Sequence, residues 1–231
     1  KKLSKDTSAD EIVSRGEYFT SRLMAAYLDY TFVDAADCVF FGLDGTLDRV
    51  TTDAAIAEAL EKYGRIVIPG FYGQLPTGRL RVMSRGGSDI TGAIAAAAVN
   101  ADVYENWTDV SGFMMADPRI IDDPNPIQSL TYRELRELSY MGASVLHEDA
   151  IFPVRKAGIP TNIRNTNEPN HPGTIITVNP MQTDSPGTIT GIAGHKNFTL
   201  LNIEKAMMNS EIGFGRKVLQ AFEENEISFE H

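Results

Sequence analysis

An α/β architecture, with a mostly parallel sheet covered by helices on both faces, is the fold class the sequence predicts. Three observations carry it. Segments with apolar residues at the helical period alternate along the chain with short β-prone runs, the pattern of strand–helix–strand units. The run Arg65-Ile66-Val67-Ile68 is apolar on both parities, as in a strand buried on both faces. A chain of 231 residues with 42% hydrophobic and 23% charged side chains can bury a large core without disulfide or metal staples.

The elements follow in order. Ser8 to Tyr30 reads as a helix, with Ser8 as cap before Glu11 and an apolar stripe of Ile12, Phe19, Leu23, Ala26 and Tyr27. Cys38 to Phe41 reads as a short strand. Thr52-Asp53 caps the next helix, whose stripe is Ile56, Ala59, Leu60 and Tyr63 and whose end is Gly64. After the strand at Arg65–Ile68, the segment from Gly73 to Arg81 carries Pro76 and Gly78 between β-prone pieces, as a hairpin does. Ser88 to Asn100 is a helix so rich in alanine that something must pack closely on it. Asp102 to Trp107 reads as a strand. The loop from Asp117 to Pro126 is interrupted by Pro118, Pro124 and Pro126. Thr131 and Glu134 form a capping box for a helix to Ala143, with Leu135, Leu138 and Met141 on one face. A short helix from Glu148 to Gly158 and a strand from Pro160 to Arg164 complete this part. A polar linker, Asn179 to Gly187, precedes a β-rich stretch from Thr188 to Ile203, a helix from Gly215 to Asn225 and an alternating run from Glu226 to Glu230.

Composition narrows the function. The 31 acidic residues outnumber the 21 Lys and Arg by 10, which argues against a general nucleic-acid or anionic-membrane binder. Cys38 is the single cysteine, so no internal disulfide and no thiolate zinc site is possible, and a reducing, cytoplasmic setting is expected. No apolar run approaches the roughly 18 residues of a spanning helix.

The densest chemical signal is Ser84-Arg85-Gly86-Gly87-Ser88-Asp89, immediately before the alanine-rich helix. Two glycines let the backbone turn tightly near a ligand, and a helix start offers unpaired N–H groups with a positive dipole end. Arg85 adds a fork for carboxylate or phosphate, and Asp89 can orient a cation. A capped helix behind an ordinary glycine turn has about equal weight on shape alone. A second constellation, Trp107-Thr108-Asp109-Val110-Ser111-Gly112, closes a strand, where ligands of open α/β sheets bind. An Asx turn that merely ends the strand is as good a reading of the spacing. Arg119, beside Pro118, is either a polyphosphate contact or a solvated arginine. Gly16, in Ser14-Arg15-Gly16-Glu17, costs a helix about 1 kcal/mol relative to alanine, so a ligand, a strand or a neighbouring helix is expected to approach it. His147 has no metal-ligand neighbours and reads as structural.

Together these strings resemble the aspartate kinases. Ser-Arg-Gly-Glu, Pro-Gly-Phe-Tyr-Gly, Ser-Arg-Gly-Gly-Ser-Asp, Trp-Thr-Asp-Val-x-Gly, Ala-Asp-Pro-Arg and Met-Gly-Ala-x-Val-Leu-His occur in that family's order, as does the strand before Asn165-Thr166. The resemblance implies the amino-acid kinase fold, a three-layer αβα sandwich. It implies phosphorylation of the β-carboxylate of L-aspartate by MgATP, a step toward lysine, threonine and methionine. It implies that Glu17 holds the substrate amino group, and that Arg85, Gly86, Gly87 and Ser88 cradle its carboxylates. Asp89 would organise the catalytic centre, and Thr108, Asp109, Met114, Arg119, Ser144 and Val145 would contact ATP.

The chain departs from the family at Met114, where relatives often carry Tyr, and at Ser144, where many carry Lys. The family's Lys-x-Gly-Gly motif occurs nowhere in it. The expectation is therefore an inner portion of a longer kinase, inactive alone, with the catalytic portion at 1–183 and the start of an ACT regulatory domain at 184–231. By resemblance the intact protein is a homodimer that binds lysine or threonine as feedback ligand. The alternatives are a non-catalytic ligand-binding fragment, or a kinase of the same fold acting on glutamate or acetylglutamate.

Overall fold

Ser8, Asp34 and Asp48 cap the first three helices through their side-chain oxygens, whereas glycines stand at the start of two later ones. In a computed structural model of the chain the described residues are 7–83, 86–140, 146, 148–180, 189–194 and 199–227. The N-terminal part holds α1 (Ala9–Leu28), β1 (Thr31–Phe32), α2 (Ala35–Cys38), α3 (Arg49–Tyr63), β2 (Ile66–Val67), β3 (Tyr72–Gln74), β4 (Leu80–Val82) and α4 (Gly87–Ala98). Strands β1 and β2 pair in parallel, with Thr31 opposite Ile66, and are flanked by α1 and α3. Strands β3 and β4 form the expected antiparallel hairpin around Pro76 and Gly78.

Ser8 caps α1 as expected, its hydroxyl accepting from the Glu11 amide at 3.2 Å. The apolar stripe of α1, however, points outward. Ile12, Phe19, Leu23 and Tyr27 are 51% to 82% exposed, and the inward side is Ser14, Ser21 and Ala25. Those short side chains let the helix lie close on β1, β2 and β4.

Two other local expectations are corrected. Cys38–Phe41 is not a strand: Asp34 caps α2 through the Ala36 amide, the helix ends at Cys38, and Phe40 and Phe41 make isolated bridges only. Asp48, not Thr52-Asp53, caps α3 by accepting from the Thr51 amide. Thr52 is fully buried inside that helix and its hydroxyl accepts from the Phe40 amide at 3.0 Å.

The following part holds β5 (Tyr104–Thr108), β6 (Phe113–Met114), β7 (Pro126–Ile127), β8 (Ser129–Thr131), α5 (Tyr132–Tyr140), a 3-10 turn at Glu148–Ile151, α6 (Phe152–Ala157), β9 (Thr161–Asn165) and β10 (Thr174–Thr177). One sheet runs β5-β9-β10-β8, with β5 parallel to β9, β9 antiparallel to β10, and β10 parallel to β8. Strands β8 and β10 had no counterpart in the sequence reading. Pro126 lies in an edge strand opposite Met114, a place where a missing N–H costs no ladder bond. The Thr131–Glu134 capping box forms: the Thr131 amide donates to Glu134 Oε2 at 2.7 Å and the Glu134 amide to Thr131 Oγ1 at 3.2 Å.

Two apolar cores result. One gathers Val39, Ile56, Tyr72 and Ile94; the other gathers Phe113, Leu135, Ile151, Ile163 and Ile176. Helix α4 serves both, with Ile94 in the first and Ala93 and Ala96 in the second. Its alanines are what α3 and α6 pack against, which answers the expectation of a close neighbour.

The chain divides into compact units at Gly194 and His195. The boundary expected between 183 and 184 lies outside the described residues. In residues 195–231 a 3-10 turn, Met208–Ser210, precedes α7 (Phe214–Glu224), and Glu211 is held by Lys205 and Lys217. The expected strands are not formed among the described residues of 188–203 and 226–230. The Ile227 amide instead donates to Phe222 O at 2.9 Å and closes the end of α7.

Candidate functional site

The glycine turn before α4 is built by backbone constraints on both of its glycines. Gly86 is the N-cap in the left-handed region, at φ 75° and ψ 13°, a conformation costly for residues with a Cβ. Gly87 is buried; a Cβ there would stand 2.6 Å from that of Phe71 and 2.9 Å from that of Met83. The Thr91 hydroxyl ties the turn together by accepting from the Phe71 amide at 3.0 Å and donating to Gly87 O at 2.8 Å. Phe71 itself sits at φ 60°, an outlier for a bulky residue. The Pro-Gly-Phe-Tyr-Gly string is thus the strained floor on which the turn rests. Arg85 lies outside the described residues, as do Ser144, Val145 and His147.

Glu17 and Ser88, distant in sequence, line one cavity of about 390 Å³ together with Gly70, Thr91 and Gly92. The rest of its lining is mainly apolar and includes Ile56, Leu60, Ile66 and Ile68, so polar groups and apolar surface meet in one cavity. Gly16, next to Glu17 in the sequence, has no described atom within 4 Å of where its Cβ would be, so no described helix or strand explains that glycine.

Asp89, in the first turn of α4, receives a hydrogen bond on Oδ1 from Asn106 Nδ2 at 2.9 Å. Asn106 and Tyr104, both from β5, were not among the residues singled out from sequence. The available signal was parity: Asn106 is a polar residue on the inward face of a strand, and such a group needs a buried partner. Burial pushes the Tyr104 hydroxyl up to about 12.

At the carboxyl end of β5, Thr108 Oγ1 donates to Asp109 Oδ1 at 3.2 Å. Thr108 O accepts from the amide and hydroxyl of Thr166 at 2.8 and 3.0 Å. Asn165 Nδ2 reaches Ser111 Oγ at 2.9 Å, so β9 braces the loop that carries Asp109. Met114 is in β6, and Gly112 precedes it at φ 89° against Thr174. Arg119 lies on an exposed loop, with its Nη2 2.7 Å from Asp117 Oδ2 and its side chain 84% exposed. That side-chain bond holds the Asp117 carboxyl down at about 2. The structure therefore brings Glu17 and Ser88 to one cavity, sets Gly86, Gly87, Ser88 and Asp89 in the turn that starts α4, ties Asp89 to β5 through Asn106, and ends β5 at Thr108 with Asp109 following it.

Comparison with known proteins places the chain among its relatives. The chain is 39% identical to aspartokinase 3 of Bacillus subtilis over 238 residues, covering 96% of the chain and 50% of that protein. A crystal structure of Clostridium acetobutylicum aspartate kinase, an allosteric enzyme, superposes with a TM-score of 0.88 at 53% identity, over 98% of this chain and 51% of that one. E. coli aspartokinase III, solved with aspartate and ADP, gives a TM-score of 0.65 at 28% identity over 73% of this chain and 40% of that one. Solved with lysine and aspartate, the same protein gives 0.76 at 27% identity over 95% and 51%. The chain spans about half the length of these relatives. The model of the amino acid kinase family matches residues 1–165, and the chain belongs to that family.

Proposed function

We propose that the chain supplies the acceptor-binding and nucleotide-binding half of an aspartate kinase, which moves the γ-phosphoryl group of MgATP onto the β-carboxylate of L-aspartate and leaves ADP and 4-phospho-L-aspartate. The observation that carries this reading is the shared cavity of Glu17 and Ser88 at the start of α4, whose Asp89 is bonded by Asn106 of the strand that ends at Thr108. Glu17 offers a carboxylate for an ammonium group. The amides at the start of α4 offer donors and a positive dipole end for carboxylate or phosphate oxygens. Phosphoryl transfer relies on positioning and charge stabilisation more than on covalent help, and these groups provide both.

Magnesium binds through one or two carboxylates plus substrate phosphates rather than in an all-protein cage. The ion is therefore read as carried by the nucleotide, with no residue of the chain assigned to it. Thr108, Asp109, Met114 and Arg119 are read as the nucleotide contacts. Residues 184–231 are read as the opening of an ACT unit that binds lysine or threonine and pairs two chains. The E. coli relative crystallised with lysine supports the feedback-ligand part of this reading only. A reducing, cytoplasmic setting is part of the same reading, on the single cysteine.

Trp107, the only tryptophan, adjoins Thr108 and is 43% exposed, so it reports on this site. Titration of the chain with MgATP is expected to change its fluorescence saturably, and Asp109→Ala to weaken the response. L-Aspartate is expected to bind and L-glutamate not. Absence of any response to MgATP and aspartate would overturn the reading. Little or no turnover is expected from the 231 residues by themselves, since none of their lysines begins a Lys-x-Gly-Gly sequence.

A further inference from the structure

Asp89 is held by strand β5 rather than by its own turn. Asn106 is 8% exposed, and its Nδ2 donates to Asp89 Oδ1 at 2.9 Å and to the Tyr104 hydroxyl at 3.1 Å. That hydroxyl donates in turn to the main-chain oxygen of Asp89 at 3.2 Å. The Tyr104 ring fills the space a side chain at Gly92 would need, 2.7 Å from its hydroxyl. One strand thus fixes both the carboxylate and the backbone of Asp89. The other carboxylate oxygen, Oδ2, is left on the side of the glycine turn, 4.0 Å from where a Cβ at Gly86 would stand.

An unrestrained aspartate at a helix start samples several rotamers. A neutral amide selects one of them without cancelling the charge, whereas a lysine or arginine in the same place would neutralise it. We propose that Asn106 is the positioning residue for Asp89, holding Oδ2 toward the Gly86–Gly87 turn where the acceptor carboxylate is received. This rests on the kinase reading above, in which Asp89 organises the reacting groups.

Three measurements test it. In the full-length protein, Asn106→Leu is expected to lower kcat by about 10- to 100-fold with KM for ATP little changed, the cost of a misplaced reacting group. An unchanged kcat, or an equal loss carried by KM, would overturn the proposal. Asn106→Asp keeps the shape and sets two carboxylates side by side, which cannot both ionise. A shared proton restores the bond, so this variant is expected to regain activity relative to the unmutated protein as pH falls from about 8 to about 6. Tyr104, the other titratable group of the cluster, stays protonated throughout. A flat ratio across that range counts against the proposal. The crystal structure of the Asn106→Leu chain is independent of turnover: Asp89 is expected to leave its rotamer, and an unmoved carboxylate refutes the inference. If the unmutated protein shows no aspartate-dependent turnover, the kinase reading falls and that crystal structure alone decides the role of Asn106.

Discussion

Asn165 donates from Nδ2 to the Ser111 hydroxyl at 2.9 Å, joining the end of β9 to the loop that follows β5. Its Oδ1 also accepts from the Asn167 amide at 2.9 Å, and the side chain is 7% exposed. Asn165→Ala removes both bonds and is expected to cost about 1–3 kcal/mol. Urea unfolding measures that loss. A Trp107 titration should show weaker MgATP binding, because the loop bearing Asp109 loses its brace.

The two glycines of the α4 turn are expected to fail differently. Gly86→Asn should be mild, since asparagine tolerates the left-handed region and the nearest described atom is 3.8 Å from the new Cβ. Gly87→Ala drives a methyl into Phe71 and Met83, and overpacking of this kind costs about 1–3 kcal/mol. Thermal melts of the two variants should separate them, with Gly87→Ala the less stable.

Glu134 should impose a pH dependence on stability. Burial alone would raise its carboxyl, but hydrogen bonds from Thr190 and Thr131 outweigh that and hold it below the ordinary 4.5. A group depressed on folding contributes stability above its unfolded value and loses it as pH falls through the folded one. The contribution is therefore full above about pH 4.5 and fades below it. Urea midpoints measured down that range should fall less steeply for Glu134→Gln than for the unmutated chain.

Cys38 should be silent toward thiol reagents in the folded chain. It is 1% exposed, and burial, with Asp37 and Asp34 nearby, pushes its thiol up to about 12. Thiolate is the reactive form, so labelling by an aromatic disulfide should be slow natively and fast in urea. Fast labelling of the native chain contradicts the burial.

What was legible in the sequence was local. The Ser8 cap and the Thr131–Glu134 box were readable because both partners lie within one helical turn. The hairpin around Pro76 and Gly78 was equally local. The side of α1 that is buried was not legible, since periodicity locates a stripe but not the surface it meets. Strands β8 and β10 are too short to show an alternation and are defined by their partners. The site divides in the same way. The Gly86–Asp89 turn stood out because it is contiguous. Asn106 did not, because its meaning depends on Asp89, which folding alone brings near.

Helix α4 has a consequence for how the molecule comes apart. Ile94 belongs to one core while Ala93 and Ala96 belong to the other, so a single rigid element forms a wall of each. Loosening either core removes the surface on which its neighbour rests. Residues 1–194 are therefore expected to unfold as one cooperative body, with tyrosine and tryptophan signals melting together in place of a staged loss of two halves.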